Sequence, residues 1–73
     1  MIIEIYGKDG CSFCTKAHNL AKEKSREVTY KRLGVEYTKK EFESIFPNVH
    51  TVPQIFIDGL AIGGYRDLQR ILA

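Results

Sequence analysis

The sequence is short of the features that mark several large classes of protein. Its 73 residues include only two cysteines, whereas small secreted domains stabilised by disulfides usually carry more. No apolar run approaches the roughly 20 residues that a membrane-spanning helix needs. The net charge is only +2, from 11 basic and 9 acidic residues, which is too small to indicate nucleic-acid binding. We therefore expect no membrane span and no nucleic-acid partner.

The pattern of a secretory signal peptide is also missing. Glu4 interrupts the first apolar run, and no basic segment precedes it. The composition is 44% hydrophobic and 27% charged, which is typical of a globular domain. A chain of this length lies near the lower limit for a self-sufficient core. We predict one domain over residues 1–73, located in the reducing environment of the cytoplasm.

The two cysteines, Cys11 and Cys14, are three positions apart. They follow an apolar run at residues 2–6 and a turn-like segment at residues 7–10, and a helical pattern begins directly after Cys11. The free N–H groups and the dipole at a helix N-terminus favour a thiolate on the first cysteine. In a reducing compartment, a lone pair with this spacing favours reversible disulfide chemistry over the alternative of two inert core cysteines.

A zinc site is a weaker alternative. His18 and His50 could join the two cysteines in a four-ligand set of a common kind. The spacing of the histidines departs from the zinc-finger pattern, however, and His50 would have to fold onto the pair from a loop. We therefore predict no metal site, and we expect His18 to be an exposed or half-buried helix residue.

Seven secondary-structure elements are predicted, in the order β-α-β-α-β-β-α. Strands at residues 2–6 and 28–33 are joined by a helix at about 12–26, which implies a right-handed crossover between parallel strands. Thr38 and Glu41 form a capping box at the start of the second helix.

The last part of the chain is predicted to form a hairpin followed by a helix. Pro47 ends the second helix, and Asp58-Gly59 indicates a tight turn between strands at residues 54–57 and 60–62. The third helix is predicted at residues 65–73, after Gly63-Gly64.

Three motifs, in this order and at these spacings, resemble those of glutaredoxins. They are Cys11-Ser12-Phe13-Cys14, Thr51-Val52-Pro53-Gln54-Ile55-Phe56-Ile57 and Gly63-Gly64-Tyr65-Arg66-Asp67-Leu68. The resemblance covers nearly the whole chain. The last helix is shorter than is usual in the family, and in this brevity the chain resembles small phage or bacterial members. It implies an α/β protein with a minimal thioredoxin fold, in which helices flank a four-stranded mixed sheet.

The resemblance implies a glutathione-dependent thiol–disulfide oxidoreductase. Cys11 would attack a protein disulfide or a glutathione mixed disulfide, Cys14 would resolve the intermediate, and glutathione would restore the dithiol. Glutaredoxins of this size commonly reduce ribonucleotide reductase, and a monomer is expected.

The resemblance also implies a glutathione site around the cysteine pair. Its expected residues are Lys8, Phe13, Thr51, Val52, Pro53, Gly64, Tyr65 and Asp67. A cis Val52–Pro53 bond would present the Val52 backbone to the cysteine of glutathione. Lys8 would face the glycine carboxylate, and the start of the last helix, with Asp67, would receive the γ-glutamyl end. Tyr6 and Phe13 are expected to flank the cleft.

Two departures from the commonest family motif leave alternatives open. Ser12 stands where proline is usual, and Phe13 replaces tyrosine, which removes a hydroxyl. Some relatives with a Cys-Ser-aromatic-Cys motif bridge a [2Fe–2S] cluster between two subunits, with the first cysteine, here Cys11, and glutathione as ligands. A third possibility is a glutaredoxin-like electron donor reduced by thioredoxin reductase. Lys8, Thr51 and Asp67 argue against that donor because they suit a charged tripeptide.

Overall fold

The computed structural model describes all residues from Met1 to Ala73. Its strands are β1 (Ile2–Gly7), β2 (Glu27–Arg32), β3 (Gln54–Ile57) and β4 (Leu60–Gly63), and its helices are α1 (Ser12–Lys24), α2 (Lys39–Ile45) and α3 (Tyr65–Leu72). The sheet has the order β2-β1-β3-β4, with β1 and β2 parallel and the other neighbours antiparallel. The mixed sheet and the order of elements confirm the predicted α/β class and the minimal thioredoxin fold. None of the three helices is long and apolar enough to cross a membrane.

The boundaries around the α1–β2 connection differ from the prediction by one or two residues. Helix α1 ends at Lys24 because Ser25 adopts an extended backbone. The Ser25 hydroxyl donates to the Met1 carbonyl and accepts from the Glu27 N–H at 3.1 Å. These bonds start β2 at Glu27, one residue earlier than the pattern of β-branched and aromatic residues indicates.

An aliphatic layer fills the space between the sheet and helices α1 and α3. Side chains alternate along a strand, so alternate residues of β1 face these two helices. The layer consists of six residues with no exposed surface: Ile3, Ile5, Ala17, Ala21, Ile55 and Leu68. Its two alanines allow α1 to lie close against the sheet, and this packing fixes α1 directly behind Cys11.

An aromatic cluster packs on the opposite face of the sheet, under α2. Its members are Tyr6, Tyr37, Phe42 and Phe46, with Phe56 packed against them. Neighbouring rings lie 4.9–6.1 Å apart between centroids. The predicted capping box at the start of α2 is confirmed, since the Thr38 hydroxyl accepts from the Glu41 N–H at 3.1 Å and the Glu41 carboxylate accepts from the Thr38 N–H at 2.9 Å.

The hairpin between β3 and β4 turns at the predicted residues. Asp58 and Gly59 both have positive φ, at 50° and 82°, as a two-residue hairpin turn of this type requires. Asp58 also fastens the turn to the start of β1, because its carboxylate accepts from the Ile2 N–H at 2.7 Å.

Candidate active site

Cys11 lies at the carboxyl end of the sheet, where it forms the N-cap of α1. Its sulfur accepts a hydrogen bond from the Cys14 backbone N–H at 3.2 Å. The two cysteines are joined by a disulfide, with their Cα atoms 5.2 Å apart. Cys14 is completely buried, whereas Cys11 is only partly so. A substrate can therefore reach the sulfur of Cys11 but not that of Cys14.

The loop that leads from β1 to Cys11 is held by the carbonyl of Gly7. This oxygen accepts from the Tyr37 hydroxyl at 2.6 Å and from the Leu33 N–H at 2.9 Å. Burial, followed by the nearby Tyr30 and Tyr6, raises the pKa of Tyr37 above its ordinary value. The hydroxyl thus keeps its proton at neutral pH and remains a donor to Gly7.

The loop before β3 approaches the cysteine pair from the other side. The Val52–Pro53 bond is cis, as the resemblance implies, and the Val52 carbonyl oxygen lies 3.9 Å from the sulfur of Cys11. Val52 belongs to no strand, and neither its N–H nor its carbonyl makes a backbone hydrogen bond. Gln54 steadies the loop by donating to the Thr51 carbonyl at 3.0 Å. Both backbone groups of Val52 are therefore available beside the sulfur.

The start of α3 closes the site beyond Phe13. The Gly64 N–H donates to the Asp67 carboxylate at 3.0 Å, and Asp67 also forms an ion pair with Arg70. Gly64 already has an acceptor, whereas the N–H groups of Tyr65, Arg66 and Asp67 make no backbone hydrogen bond and are left to receive an anion at this helix end. The Tyr65 and Phe13 rings lie 5.9 Å apart.

Two open clefts meet at this point. The first cleft, of about 780 Å³, is lined by Lys8, Gly10, Cys11, Ser12, Phe13, Leu33, Tyr37, Lys39, Phe42, Glu43, Val49, His50, Thr51 and Val52. The second cleft, of about 500 Å³, is lined by Phe13, Val49, Thr51, Val52, Pro53, Gln54, Gly63, Gly64, Tyr65, Arg66 and Asp67. All eight residues that the resemblance implies for glutathione binding line one cleft or both, so the structure brings them together around Cys11.

Comparison with known proteins assigns the chain to a family. The family model for glutaredoxin matches residues 3–62. A glutaredoxin of Haemophilus influenzae is 37% identical over 79 residues, covering 99% of this chain and 91% of that protein. Glutaredoxin 1 of Escherichia coli is 37% identical over 70 residues, covering 86% and 82%. The structure of reduced E. coli glutaredoxin superposes with a TM-score of 0.79 at 34% identity, over 97% of this chain and 92% of that one.

The chain belongs to the glutaredoxin family. Together with the Cys11–Cys14 pair, this membership makes it a thiol–disulfide oxidoreductase. Its cysteines form the disulfide of the oxidised state, in which the reactive pair has already given up its electrons.

The prediction that Tyr6 flanks the cleft is wrong. Tyr6 is only 7% exposed and lines neither cleft. Alternation along β1 turns its ring into the aromatic cluster, where its hydroxyl accepts from Lys31 at 3.3 Å. Phe13, the other expected flanking residue, lines both clefts.

Several residues of the first cleft were not found by sequence reasoning. They are Leu33, Tyr37, Lys39, Phe42, Glu43, Val49 and His50. Phe42 could be assigned to an apolar helix face, but no local pattern indicates that this face also borders the cysteine pair. The backbone bridge between Leu33 and Tyr37 folds this wall of the cleft. Gly34 marks the turn between them, but no local pattern indicates the bridge.

The two histidines of this glutaredoxin have separate surroundings. The His18 ring stacks on Tyr30 with 4.4 Å between ring centroids, and burial, followed by the charge of Lys22, lowers the pKa of His18. His50 is exposed and lines the first cleft. No three His, Cys, Asp or Glu side chains converge into a group that could hold a metal ion.

Proposed function

We propose that this glutaredoxin uses glutathione to reduce protein disulfides and glutathione mixed disulfides. The observation that carries the proposal is the position of Cys11 in the first cleft, where Phe13 and Val52 border the second. Lys8 lines the first cleft and Asp67 the second. Glutathione has a cysteine between a terminal carboxylate and an ammonium group. A cation and a carboxylate on opposite sides of the reactive sulfur suit that distribution of charge.

Cys11 acts as the nucleophile. In the reduced protein, the Cys14 N–H and the start of α1 stabilise the Cys11 thiolate. The thiolate attacks one sulfur of the substrate disulfide and forms a mixed disulfide, while the other substrate sulfur leaves with the bonding electrons and takes a proton from solvent. The Cys14 thiolate then attacks the sulfur of Cys11 and releases the reduced substrate, which produces the Cys11–Cys14 disulfide.

Two molecules of glutathione restore the dithiol. The first attacks the sulfur of Cys11, forms a mixed disulfide there and leaves Cys14 reduced. The second attacks the sulfur of the bound glutathione, which releases glutathione disulfide and the Cys11 thiolate. Each cycle thus oxidises two glutathione thiols for one substrate disulfide reduced.

Backbone and charged groups hold the glutathione. Val52 exchanges two hydrogen bonds with the cysteine residue of glutathione, as opposed residues of an antiparallel pair do. The N–H groups of Tyr65 and Arg66 bind the γ-glutamyl carboxylate. Asp67 faces the ammonium group, which competes with Arg70 for the Asp67 carboxylate. Lys8, which forms no ion pair within the protein, faces the glycine carboxylate.

We propose that the protein acts as a monomer. We propose that residues 1–73 form one glutaredoxin domain that works in the cytoplasm, where glutathione keeps thiols reduced. Ribonucleotide reductase remains one predicted protein substrate.

The test is reduction of a small glutathione mixed disulfide, coupled to glutathione reductase. We expect turnover by the wild-type protein, loss of turnover in Cys11→Ser, and retention of most turnover in Cys14→Ser, because glutathione itself can resolve the first mixed disulfide. Absence of glutathione-dependent turnover in the wild-type protein would contradict the proposal. In that case, turnover with thioredoxin reductase would identify the alternative electron donor.

The assignment of Asp67 has its own test. Asp67→Ala is expected to raise the KM for glutathione by about fivefold to tenfold, which corresponds to losing one charged contact of about 1–1.4 kcal/mol. Circular dichroism serves as the control for folding, since Asp67 also accepts from Gly64 at the start of α3. An unchanged KM in a folded variant removes Asp67 from the site.

A further inference from the structure

The first cleft extends beyond what glutathione can occupy. It contains the wall formed by Leu33, Phe42 and Val49 in addition to the neighbourhood of Lys8. Glutathione has one residue after its cysteine, a glycine without a side chain. This wall therefore has no side chain of glutathione to contact.

The direction of an extended substrate follows from Val52. A residue that exchanges both backbone hydrogen bonds with the residue opposite it does so only in an antiparallel pair. The protein chain runs from His50, which lines only the first cleft, through Val52 towards Gln54, which lines only the second. A substrate whose cysteine pairs with Val52 therefore places its following residues in the first cleft.

Alternation selects which of those residues faces the cleft. Successive side chains of an extended segment point to opposite sides, about 6.5–7 Å apart for every second residue. The second residue after the substrate cysteine thus points to the same side as the reactive sulfur. That side carries the wall of Leu33, Phe42 and Val49, and Leu33 is 41% exposed.

The charged residues of the first cleft add a second requirement for the substrate segment. Lys8 and Lys39 line the first cleft, and neither takes part in an ion pair. Glu43 is the only acidic residue that lines the cleft, so the cations outnumber it even when His50 is neutral. The positive potential of the cleft extends beyond its wall and favours a carboxylate next to the apolar residue, although that carboxylate points to the other side of the extended segment.

We propose that the first cleft binds the segment that follows the reactive cysteine of a protein substrate, with a large apolar side chain two residues after that cysteine and a carboxylate next to it. The proposal rests on the proposed function, because it names the protein substrates of the same site. The Cys11 thiolate breaks the disulfide of such a segment and bonds to its cysteine. The Cys14 thiolate then releases that segment as a thiol, so the protein dithiol supplies both electrons.

The experiment uses the fully reduced protein in a single turnover without glutathione, with release of peptide thiol as the readout. The substrates are symmetric disulfides of short peptides that contain Cys-Ser-Leu-Glu, Cys-Leu-Ser-Glu, Cys-Ser-Gly-Glu or Cys-Ser-Leu-Lys. Each symmetric disulfide offers the same sequence to Cys11 whichever sulfur is attacked. We expect the first peptide to react about tenfold faster than the second and third, as an apolar side chain in a fitting pocket allows, and about threefold faster than the fourth.

Matched variants locate the effect. Leu33→Ser should reduce the preference for leucine over glycine at the second position to less than about threefold, whereas Val35→Ser, in the same turn but outside the cleft, should leave it unchanged. Lys39→Gln should remove the preference for glutamate over lysine, whereas the neighbouring Lys40→Gln should retain it.

Equal rates for all four peptides would overturn this inference, whatever the glutathione assay shows. It would also be overturned if Lys39→Gln raised the KM for glutathione without changing peptide selectivity. Lys39 would then serve the binding of glutathione and not that of the protein substrate. Failure to react with any disulfide would overturn the proposed function as well. A preference for the first peptide together with no use of glutathione would support the cleft assignment. It would contradict only the claim that glutathione reduces this protein.

Discussion

The two faces of the sheet are built from different materials. The aliphatic layer consists of six residues without exposed surface, and it holds α1 and α3 against the sheet by apolar packing. The aromatic cluster has residues that are 4–7% exposed, and two of its members carry hydroxyls that join polar neighbours. One face is a closely packed apolar core, whereas the other combines packing with hydrogen bonds next to the first cleft.

This difference separates the tasks of the two faces. The aliphatic layer positions the helix that begins at Cys11, so changes in it affect the stability of the whole fold. The aromatic cluster supports α2, Tyr37 and the wall of the first cleft, so changes in it affect that wall and the loop before Cys11 first. Substitutions at Leu68, Phe46 and Tyr37 test this separation.

The largest effect is expected in the aliphatic layer. Leu68→Ala removes a completely buried side chain and should lower the free energy of unfolding by about 2–5 kcal/mol. A chain of this size has only about 4–11 kcal/mol in total. Urea unfolding of the oxidised protein measures the loss, with Ile71→Ala on the exposed side of the same helix as the control. Equal losses in the two variants would show that α3 does not depend on the layer.

A smaller and more local effect is expected in the aromatic cluster. Phe46→Leu should cost about 1–2 kcal/mol, because a smaller side chain leaves the neighbouring rings without contacts. Compared with the wild-type protein, amide hydrogen exchange in the variant should accelerate more in α2 than in β1 and α1. Local opening of α2 requires only the contacts of that one element to break. Ile45→Ala, at an exposed neighbouring position, is the control. Uniform acceleration across the protein would mean that the two faces form one cooperative unit.

The smallest effect is expected from the hydroxyl of Tyr37. Tyr37→Phe should cost about 0.5–1.5 kcal/mol at neutral pH, since the Gly7 carbonyl keeps its second donor, the Leu33 N–H.

Tyr37→Phe should also change how the free energy of unfolding depends on pH. Burial raises the pKa of Tyr37 above the ordinary value of 10.0, so the folded state holds this proton more tightly than the unfolded state does. The resulting stabilisation is complete below pH 10 and is lost as the pH rises through the pKa of the folded state. Unfolding measured from pH 7 upwards should therefore show a steeper alkaline loss of stability in the wild-type protein than in Tyr37→Phe. Parallel curves would show that this hydroxyl titrates alike in both states.

The elements that could be predicted from the sequence are those with local causes. The capping box of Thr38 and Glu41, the Asp58-Gly59 turn and the spacing of Cys11 and Cys14 each involve residues at most three positions apart, and all three were confirmed. The glutathione residues came from the family resemblance, and the structure gathers them around the two clefts.

The features that could not be predicted depend on contacts between distant residues. Tyr6 turns into the aromatic cluster because Tyr37 and Phe46 supply the surface that covers it. The wall around Leu33 lies beside β1 because the Leu33 N–H donates to the Gly7 carbonyl, a contact across 26 positions of the chain.

The most direct test of this account is the order in which the two thiols react. The fold leaves Cys11 partly exposed at the start of α1 and buries Cys14 completely beneath it. A brief pulse of iodoacetamide at neutral pH on the reduced protein, followed by digestion and tandem mass spectrometry, identifies the first cysteine to be alkylated. The account predicts a modified Cys11 and an unmodified Cys14. Modification of Cys14 at an equal or greater rate would contradict it.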